Sequence, residues 1–193
     1  MSSLWGVALL CATVFAADYS IDVSHSQVLF KIKHLGISTV TGRFEKFEGT
    51  FSYDPANVTD SKANVTIAAD SINTNAQKRD DHLKSPDFFD VTNFPQLTFV
   101  AKSSKAIDNT HFQTSGDLSM HGVTQPVVLD VESGGSVKDP WGMERIAFVA
   151  TTKINRKDFG LTWNKALETG GLVVGDEVKI ELEIEGIKQE AKK

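Results

Sequence analysis

Apolar and polar residues alternate along most of this chain, which is the pattern of strands with one buried and one exposed face. Residues 28–34 form an apolar face that ends at His34, and over residues 178–185 apolar positions alternate with lysine and glutamate. Weaker copies lie at Phe44–Tyr53, Ala63–Ala69, Gln96–Lys102, Phe112–Met120, Val123–Glu132 and Ile146–Ile154. About eight strands follow, near the number that closes a small barrel around one ligand. A two-sheet sandwich shares the pattern and is the alternative.

A helix pattern interrupts the strands at Ser71–Asp90. Thr74 and Gln77 have the spacing of a capping box, which predicts Thr74 as the helix N-cap. Ser85-Pro86 ends this helix and starts a second short turn. At helical spacing one face carries Ala76, Arg79, Asp80 and Leu83. An all-β fold needs no such insert, so it is either a cover over the barrel or the site of function.

Two turns are also predicted. His121-Gly122 separates two alternating runs, which is the spacing of a two-residue hairpin whose turn needs positive φ. His121 is therefore read as a turn residue and not as a ligand. Asp139–Gly142 marks another turn.

The N-terminal segment is apolar and carries no charged side chain before Asp18. It is shorter than the ~20 residues that span a membrane, and it resembles a secretory h-region with a small-residue cleavage site. We predict a signal peptide at residues 1–16, cleaved near Ala16/Ala17, and one domain at residues 17–193. A buried N-terminal helix or strand is the alternative. Cleavage removes Cys11, the one cysteine, so the fold must stand without disulfides.

Charge and motif content exclude several functions. With 25 acidic and 20 basic residues the net charge is −5, which argues against a nucleic-acid partner. The five histidines lack metal-ligand spacing, and the adjacent residues 80–82 would point in different directions on a helix. The sequence contains no GxSxG nucleophile elbow and no P-loop. No catalytic residue, metal or cofactor is therefore predicted.

The interior has two interpretations. The inward faces carry large aromatic residues together with small ones. The small residues are Gly42, Gly49, Ala69, Ala101, Gly116 and Ala150. They leave room for an elongated cavity, whereas phenylalanines can fill the same space, and composition alone favours the filled core. His34 is read as a core histidine in preference to a head-group contact. The glycine-hinged segment Phe159–Val174 is either a ligand portal or a loop packed over the barrel end.

The ordered motifs of the chain resemble those of the YceI family of secreted lipocalin-like proteins over Tyr19–Gln189. The resemblance rests on His34-Leu35-Gly36, Gly42-Arg43-Phe44, Phe47-Glu48-Gly49, Ser71-Ile72-Asn73-Thr74, Arg79-Asp80, His82-Leu83, Phe88-Phe89, Pro95, Gly116-Asp117-Leu118, Gly122-Val123-Thr124, Pro126-Val127 and Asp158-Phe159-Gly160. It implies an extended antiparallel barrel whose lumen takes a long isoprenoid or similar lipid, and a periplasmic or secreted location. It also moves the preference from the filled core to the cavity.

We therefore predict an all-β fold with short helices: an extended eight-stranded antiparallel β-barrel, lipocalin-like, with a helical insert at about residues 74–90. The expected function is to hold an isoprenoid of polyprenyl or quinone type, or a long acyl chain, for transport, storage or sequestration. The predicted lumen residues are Phe30, Ile32, His34, Phe44, Phe51, Ile67, Phe88, Phe99, Leu118, Leu129, Phe148, Trp163, Ile180 and Leu182. The predicted structural lid comprises Arg79, Asp80, His82 and Leu83, with Arg79 and Asp80 paired.

The expected partner is an amphiphilic lipid, with transient contact to a membrane or membrane protein. A homodimer through a strand edge or apolar loop stays open. Two other functions also stay open. One is an enzyme acting on a cavity-bound lipid through Arg79, Asp80 and His82, and the other is an envelope stress or partner-binding scaffold.

Overall fold

A computed structural model describes residues 16–168 and 170–190. The predicted signal peptide lies outside these residues except for Ala16. The strands are β1 Ala17–Ile21, β2 Gln27–His34, β3 Ser38–Phe44, β4 Phe47–Tyr53, β5 Lys62–Ala68, β6 Ile72–Asn73, β7 Gln96–Ala106, β8 His111–Met120, β9 Val123–Lys138, β10 Glu144–Asn155 and β11 Val174–Lys188. The α-helix is α1 Gln77–Lys84, and short 3-10 turns cover Val58–Asp60, Ala69–Ser71 and Arg156–Phe159. None of these helices is long and apolar enough to cross a membrane.

The strands close into an eight-stranded antiparallel barrel. β1 and β2 together form one interrupted strand of the barrel, and β3 and β4 form a second. In these two strands β1 pairs with β4, for example through Ala17↔Tyr53, and β2 pairs with β3, for example through Val28↔Phe44. The order continues through β5, β7, β8, β9, β10 and β11. β11 then pairs back with β1 and β2, for example through Tyr19↔Lys188, and closes the ring. The predicted barrel is confirmed, and the two-sheet sandwich is wrong.

The insert between β5 and β7 (residues 69–95) covers a free edge of the barrel wall. β5 pairs with β4, whereas β3 meets only the two-residue strand β6 on that side. An unpaired edge needs a cover. Phe89 of the insert packs edge-on against Phe44 of β3, with ring centres 5.7 Å apart. The insert is therefore part of the wall as well as a cover.

The predicted capping box is wrong. The residue before α1 is Ala76, and its side chain makes no cap hydrogen bond. Asn75 has a φ of +59°, and this left-handed residue turns the chain so that Thr74 lies outside the first helical turn. The Thr74 hydroxyl instead donates to Asp80 Oδ1 at 2.5 Å and accepts from Arg79 Nε at 2.7 Å. Arg79 and Asp80 form no direct ion pair within the described chain, because Thr74 lies between them.

The turn assignments are confirmed. His121 and Gly122 have φ values of +52° and +73°, as a tight hairpin between β8 and β9 requires. His121 Nδ1 lies 3.2 Å from the carbonyl oxygen of Phe159, which ties this hairpin to the segment after β10. Asp139 accepts backbone N–H bonds from Trp141 and Met143 in the turn between β9 and β10.

Aromatic rings packed against one another fill one end of the barrel, and we call it the closed end. Tyr53 and Phe148 have ring centres 4.9 Å apart, and Phe51 packs edge-on against Phe148 at 5.6 Å. The members of this cluster are Tyr19, Phe51, Tyr53, Phe112 and Phe148. Aromatic side chains bury the largest apolar areas, so this end supplies much of the stabilising core.

Arg145 links three carboxylates in the same half of the barrel. Its Nη1 donates to Asp22 at 2.7 Å and to Glu185 at 2.5 Å, and its Nε donates to Asp139 at 2.8 Å. The pKa of the Asp22 carboxyl lies well below its ordinary value because Ser24, His25 and Arg145 donate hydrogen bonds to it. A group with a lowered folded-state pKa stabilises the fold above its ordinary pKa, about 3.9, and loses that contribution as the pH falls toward the folded value.

Asp22→Asn should therefore lower the thermal midpoint at neutral pH by a few degrees, because an ionised partner of Arg145 is lost. It should also flatten the fall of the midpoint below about pH 4, since the titrating group is gone. The check is differential scanning fluorimetry across pH, with Asp18→Asn as the control at an exposed carboxylate of β1. Equal acid sensitivity in wild type and Asp22→Asn would contradict this role.

Candidate binding cavity

A cavity of about 460 Å³ lies inside the barrel and is lined by inward-facing side chains from every barrel strand. This volume falls within the range of about 300–1,000 Å³ that is typical of small-molecule sites. Its lining is almost entirely apolar. One end reaches Phe112 and Phe148 of the closed end, and the other, the mouth, lies between His34, Val40, Arg79 and the segment that precedes β11. The predicted cavity is present.

Phenylalanine rings packed over glycines keep the interior open. A Cβ placed on Gly42 would lie 2.3 Å from the ring of Phe30 on the neighbouring strand, so the ring occupies the space of the missing side chain. The same arrangement joins Phe99 to Gly116, at 2.5 Å, and Phe51 to Gly186, at 2.3 Å. The rings of Phe30 and Phe99 thus lie against the wall, whereas the ring of Phe51 also packs against Phe148 in the cluster of the closed end. The glycines therefore keep the cavity open, because each of them leaves space at the wall for a phenylalanine ring.

The structure places all fourteen predicted lumen residues on the cavity wall. They are Phe30, Ile32, His34, Phe44, Phe51, Ile67, Phe88, Phe99, Leu118, Leu129, Phe148, Trp163, Ile180 and Leu182. Of the predicted lid residues, Arg79, His82 and Leu83 also line the cavity, whereas Asp80 is buried against Thr74. Their contact with a ligand stays a prediction.

The sequence did not predict that hydroxyl groups line the cavity near the closed end. Ser104 and Thr114 line the cavity, are buried and share a hydrogen bond of 2.9 Å. Alternation from Phe99 and Ala101 would turn Ser103 inward, but a bulge between Ala101 and Ser103 shifts the register and turns Ser104 inward instead. The hydroxyl of Ser61 also lines the cavity and is buried without a partner in the described chain. This wall therefore offers unused hydrogen-bonding capacity.

The mouth is bordered by the insert and by the loop at residues 160–173. The His82 ring packs edge-on against Trp163 of this loop, with centres 4.9 Å apart, and against Phe88 at 5.1 Å. Part of the loop packs over the barrel end, and its role as a ligand portal stays a prediction. Leu161 is buried in the core, whereas Leu172, next to the glycine hinge, is exposed.

Arg156 fixes the loop from beneath, a role that the sequence analysis missed. Its buried guanidinium donates to the carbonyl oxygens of Leu161, Trp163 and Gly175 and to the carboxylate of Asp176. Burial lowers the pKa of Arg156, and Asp176 opposes that shift. Since carbonyl oxygens occupy most of its donors, Arg156 serves the loop and leaves little for a ligand.

One cluster brings potential metal ligands together. Donor atoms of Asp22, His25 and Glu185 lie within 4.8 Å of one another. The guanidinium of Arg145 already bonds to both carboxylates. The cluster is therefore neutralised by a cation of the protein itself, and it lies apart from the cavity lining.

Comparison with known proteins gives consistent matches. A family model described as the YceI-like domain matches residues 19–186. A UPF0312 protein of Shewanella denitrificans is 41% identical over 192 residues, which cover 98% of this chain and 97% of that protein. A crystal structure of the Campylobacter jejuni YCEI protein has a TM-score of 0.71 at 38% identity and covers 83% of this chain and 91% of its own.

A more distant structure shares the fold alone. It is a polyisoprenoid binding domain from Saccharophagus degradans, with a TM-score of 0.64 at 17% identity, and the match covers 89% of this chain and 98% of that one.

Gly42→Ala should narrow the cavity. The new methyl group would lie 2.3 Å from the Phe30 ring and 2.8 Å from Thr74, so the ring must tilt toward the axis. We expect a loss of about 1–3 kcal/mol in unfolding free energy and weaker uptake of an apolar fluorescent probe. Chemical denaturation and probe titration measure the two effects.

The matched control is Gly134→Ala, whose nearest contact of 3.4 Å is an ordinary one. Unchanged probe uptake in Gly42→Ala would show that the ring does not need the glycine.

Proposed function

The chain belongs to the family of YceI-like domain proteins, and from this premise we propose that it binds a lipid with a long isoprenoid or acyl tail inside the barrel. The tail lies along the lumen, and the polar head lies at the mouth. The protein carries or sequesters this lipid, and no covalent chemistry is part of the proposal.

The observation that carries the proposal is the apolar cavity that extends from the mouth to the closed end. Burial of each methylene group stabilises a complex by about 0.8 kcal/mol, so a long tail reaches high affinity with few polar contacts. A highly polar ligand would lose its hydrogen bonds to water in this apolar lining without replacing them. The polyisoprenoid binding domain from Saccharophagus degradans has the same fold, which is consistent with an isoprenoid tail.

The arrangement of the insert supports binding in preference to catalysis. Asp80 is buried, and its Oδ1 accepts from both the backbone N–H and the hydroxyl of Thr74. A carboxylate held in this way is a structural anchor. His82 bonds to Asp87 at 2.8 Å and packs against aromatic rings, which also positions the insert.

Loading from a lipid surface agrees with the composition of the mouth. Ile37 and Leu172 expose much of their apolar side chains beside it. The N–H of Leu35, also exposed, donates to the carbonyl of Val173, so the turn between β2 and β3 adjoins the loop. We propose that this apolar rim touches the membrane transiently when the protein loads or releases its lipid, in the periplasm after export.

Delipidated protein should bind one prenyl or long-chain acyl ligand per molecule, as seen by native mass spectrometry. Ala150→Phe should weaken this binding at least about tenfold, because a new ring in a filled lumen costs about 1–3 kcal/mol. Ala150 lines the cavity and is 5% exposed.

Val149→Phe is the control, since Val149 is its outward-facing neighbour and is 44% exposed. Near-UV circular dichroism should show an intact fold in both variants. A wild-type spectrum with only unliganded protein, after incubation with both lipid classes, would count against lipid binding.

A further inference from the structure

The charged residues that line the cavity all have one sign. Within the described chain they are Lys33, Lys62, Arg79 and Arg156, which lie beside the histidines His34 and His82, and no aspartate or glutamate joins them. Yet acidic residues outnumber basic ones, 25 to 20, in the whole sequence. Carboxylates are thus absent from the lining itself, although Asp87, Asp176 and Asp80 lie directly behind its basic residues.

Most of these basic residues have other partners or point away from the cavity. Lys33 and Lys62 are exposed and alternate with the inward-facing Ile32 and Ala63. Arg156 is occupied by carbonyl oxygens, and His82 bonds to Asp87. The basic residues that remain available to a ligand in the cavity are Arg79 of the insert and His34 at the end of β2.

Arg79 is exposed where it borders the cavity, and Thr74 holds one side of its guanidinium. Its Nε donates to Thr74 Oγ1 at 2.7 Å, and its Nη2 donates to the Thr74 carbonyl oxygen at 2.8 Å. Asp80 in turn fixes Thr74 through two hydrogen bonds. No carboxylate lies within 4 Å of Arg79 in the described chain, and its Nη1 has no protein partner there.

This geometry favours an anionic partner. A guanidinium presents five N–H donors in a planar fork that matches carboxylate and phosphate oxygens. Because Thr74 orients the fork in advance, binding an anion costs little further side-chain entropy. Charge-assisted hydrogen bonds of this type are roughly twice as strong as neutral ones.

We infer that the lipid of this protein carries an anionic head group, a carboxylate or a phosphate, which Arg79 binds at the mouth while the tail fills the lumen. The inference rests on the proposed function and adds the charge class of the ligand. Thr74 and Asp80 are positioning residues in this site, and His34 borders it from β2.

The test compares three ligands with the same tail: hexadecanoic acid, hexadecyl phosphate and hexadecan-1-ol. Each displaces the neutral probe N-phenyl-1-naphthylamine from the full-length purified protein at pH 8, where both anions are ionised. Wild type should bind the anions roughly tenfold more tightly than the alcohol. Arg79→Gln should remove this preference and leave the affinity for the alcohol nearly unchanged. Arg79→Lys should restore part of it.

Lys78→Gln is the matched control, because Lys78 is the exposed neighbour on α1 and does not line the cavity. It removes the same charge from the helix and should keep the anion preference. If the wild-type protein binds the two anions no better than the alcohol, the inference of an anionic head group is overturned and the proposed lipid binding stands. An Arg79→Gln variant that weakens all three ligands equally also overturns the inference, since that shows a purely structural role. Failure of all three to bind wild type removes the proposed function as well.

Which anion binds more tightly then identifies the source. A preference for hexadecyl phosphate points to a phosphorylated lipid, and a preference for hexadecanoic acid points to a fatty acid.

Discussion

The open lumen depends on phenylalanine rings that lie over glycines of other strands in the wall. Protein interiors are normally packed to crystal density, and a barrel of eight strands is small enough for side chains to fill it. Phe30, Phe51 and Phe99 carry enough volume to do so. Their rings instead occupy the positions of absent side chains at Gly42, Gly186 and Gly116. The barrel thereby buries large apolar residues for stability and still keeps an axial cavity.

One end of the barrel contributes most to stability, and the other end borders the opening of the cavity. The closed end holds the aromatic cluster, and the Arg145 carboxylate network lies in the same half of the barrel. The mouth is built from the insert and from a loop fixed by Arg156, and these meet through His82 and Trp163. In the described residues a few side-chain contacts, and no β-ladder, connect these two segments. Entry of the proposed lipid would therefore disturb only the part of the wall that the sheet does not close.

Local rules predicted much of this structure from the sequence. Period-2 alternation gave the strands and placed Phe148 and Leu182 correctly on the inner face, because it holds wherever the ladder is regular. The predicted strand ended at Lys102, so alternation did not reach Ser104, which a bulge turns inward. Spacing failed at Thr74, where Asn75 turns the chain before the helix. Arg156 was missed because its partners are backbone carbonyls, which carry no sequence signal. The charge segregation around the cavity likewise appears only once the strands are closed.

The most direct measurement is a crystal structure of the protein loaded with a long-chain lipid. Binding of the tail in the lumen predicts continuous, elongated electron density along the axis from Arg79 at the mouth toward Phe148, with the ring of Phe30 still over Gly42. A lumen filled by rearranged side chains, with the lipid bound on the outer surface of the barrel, would contradict it.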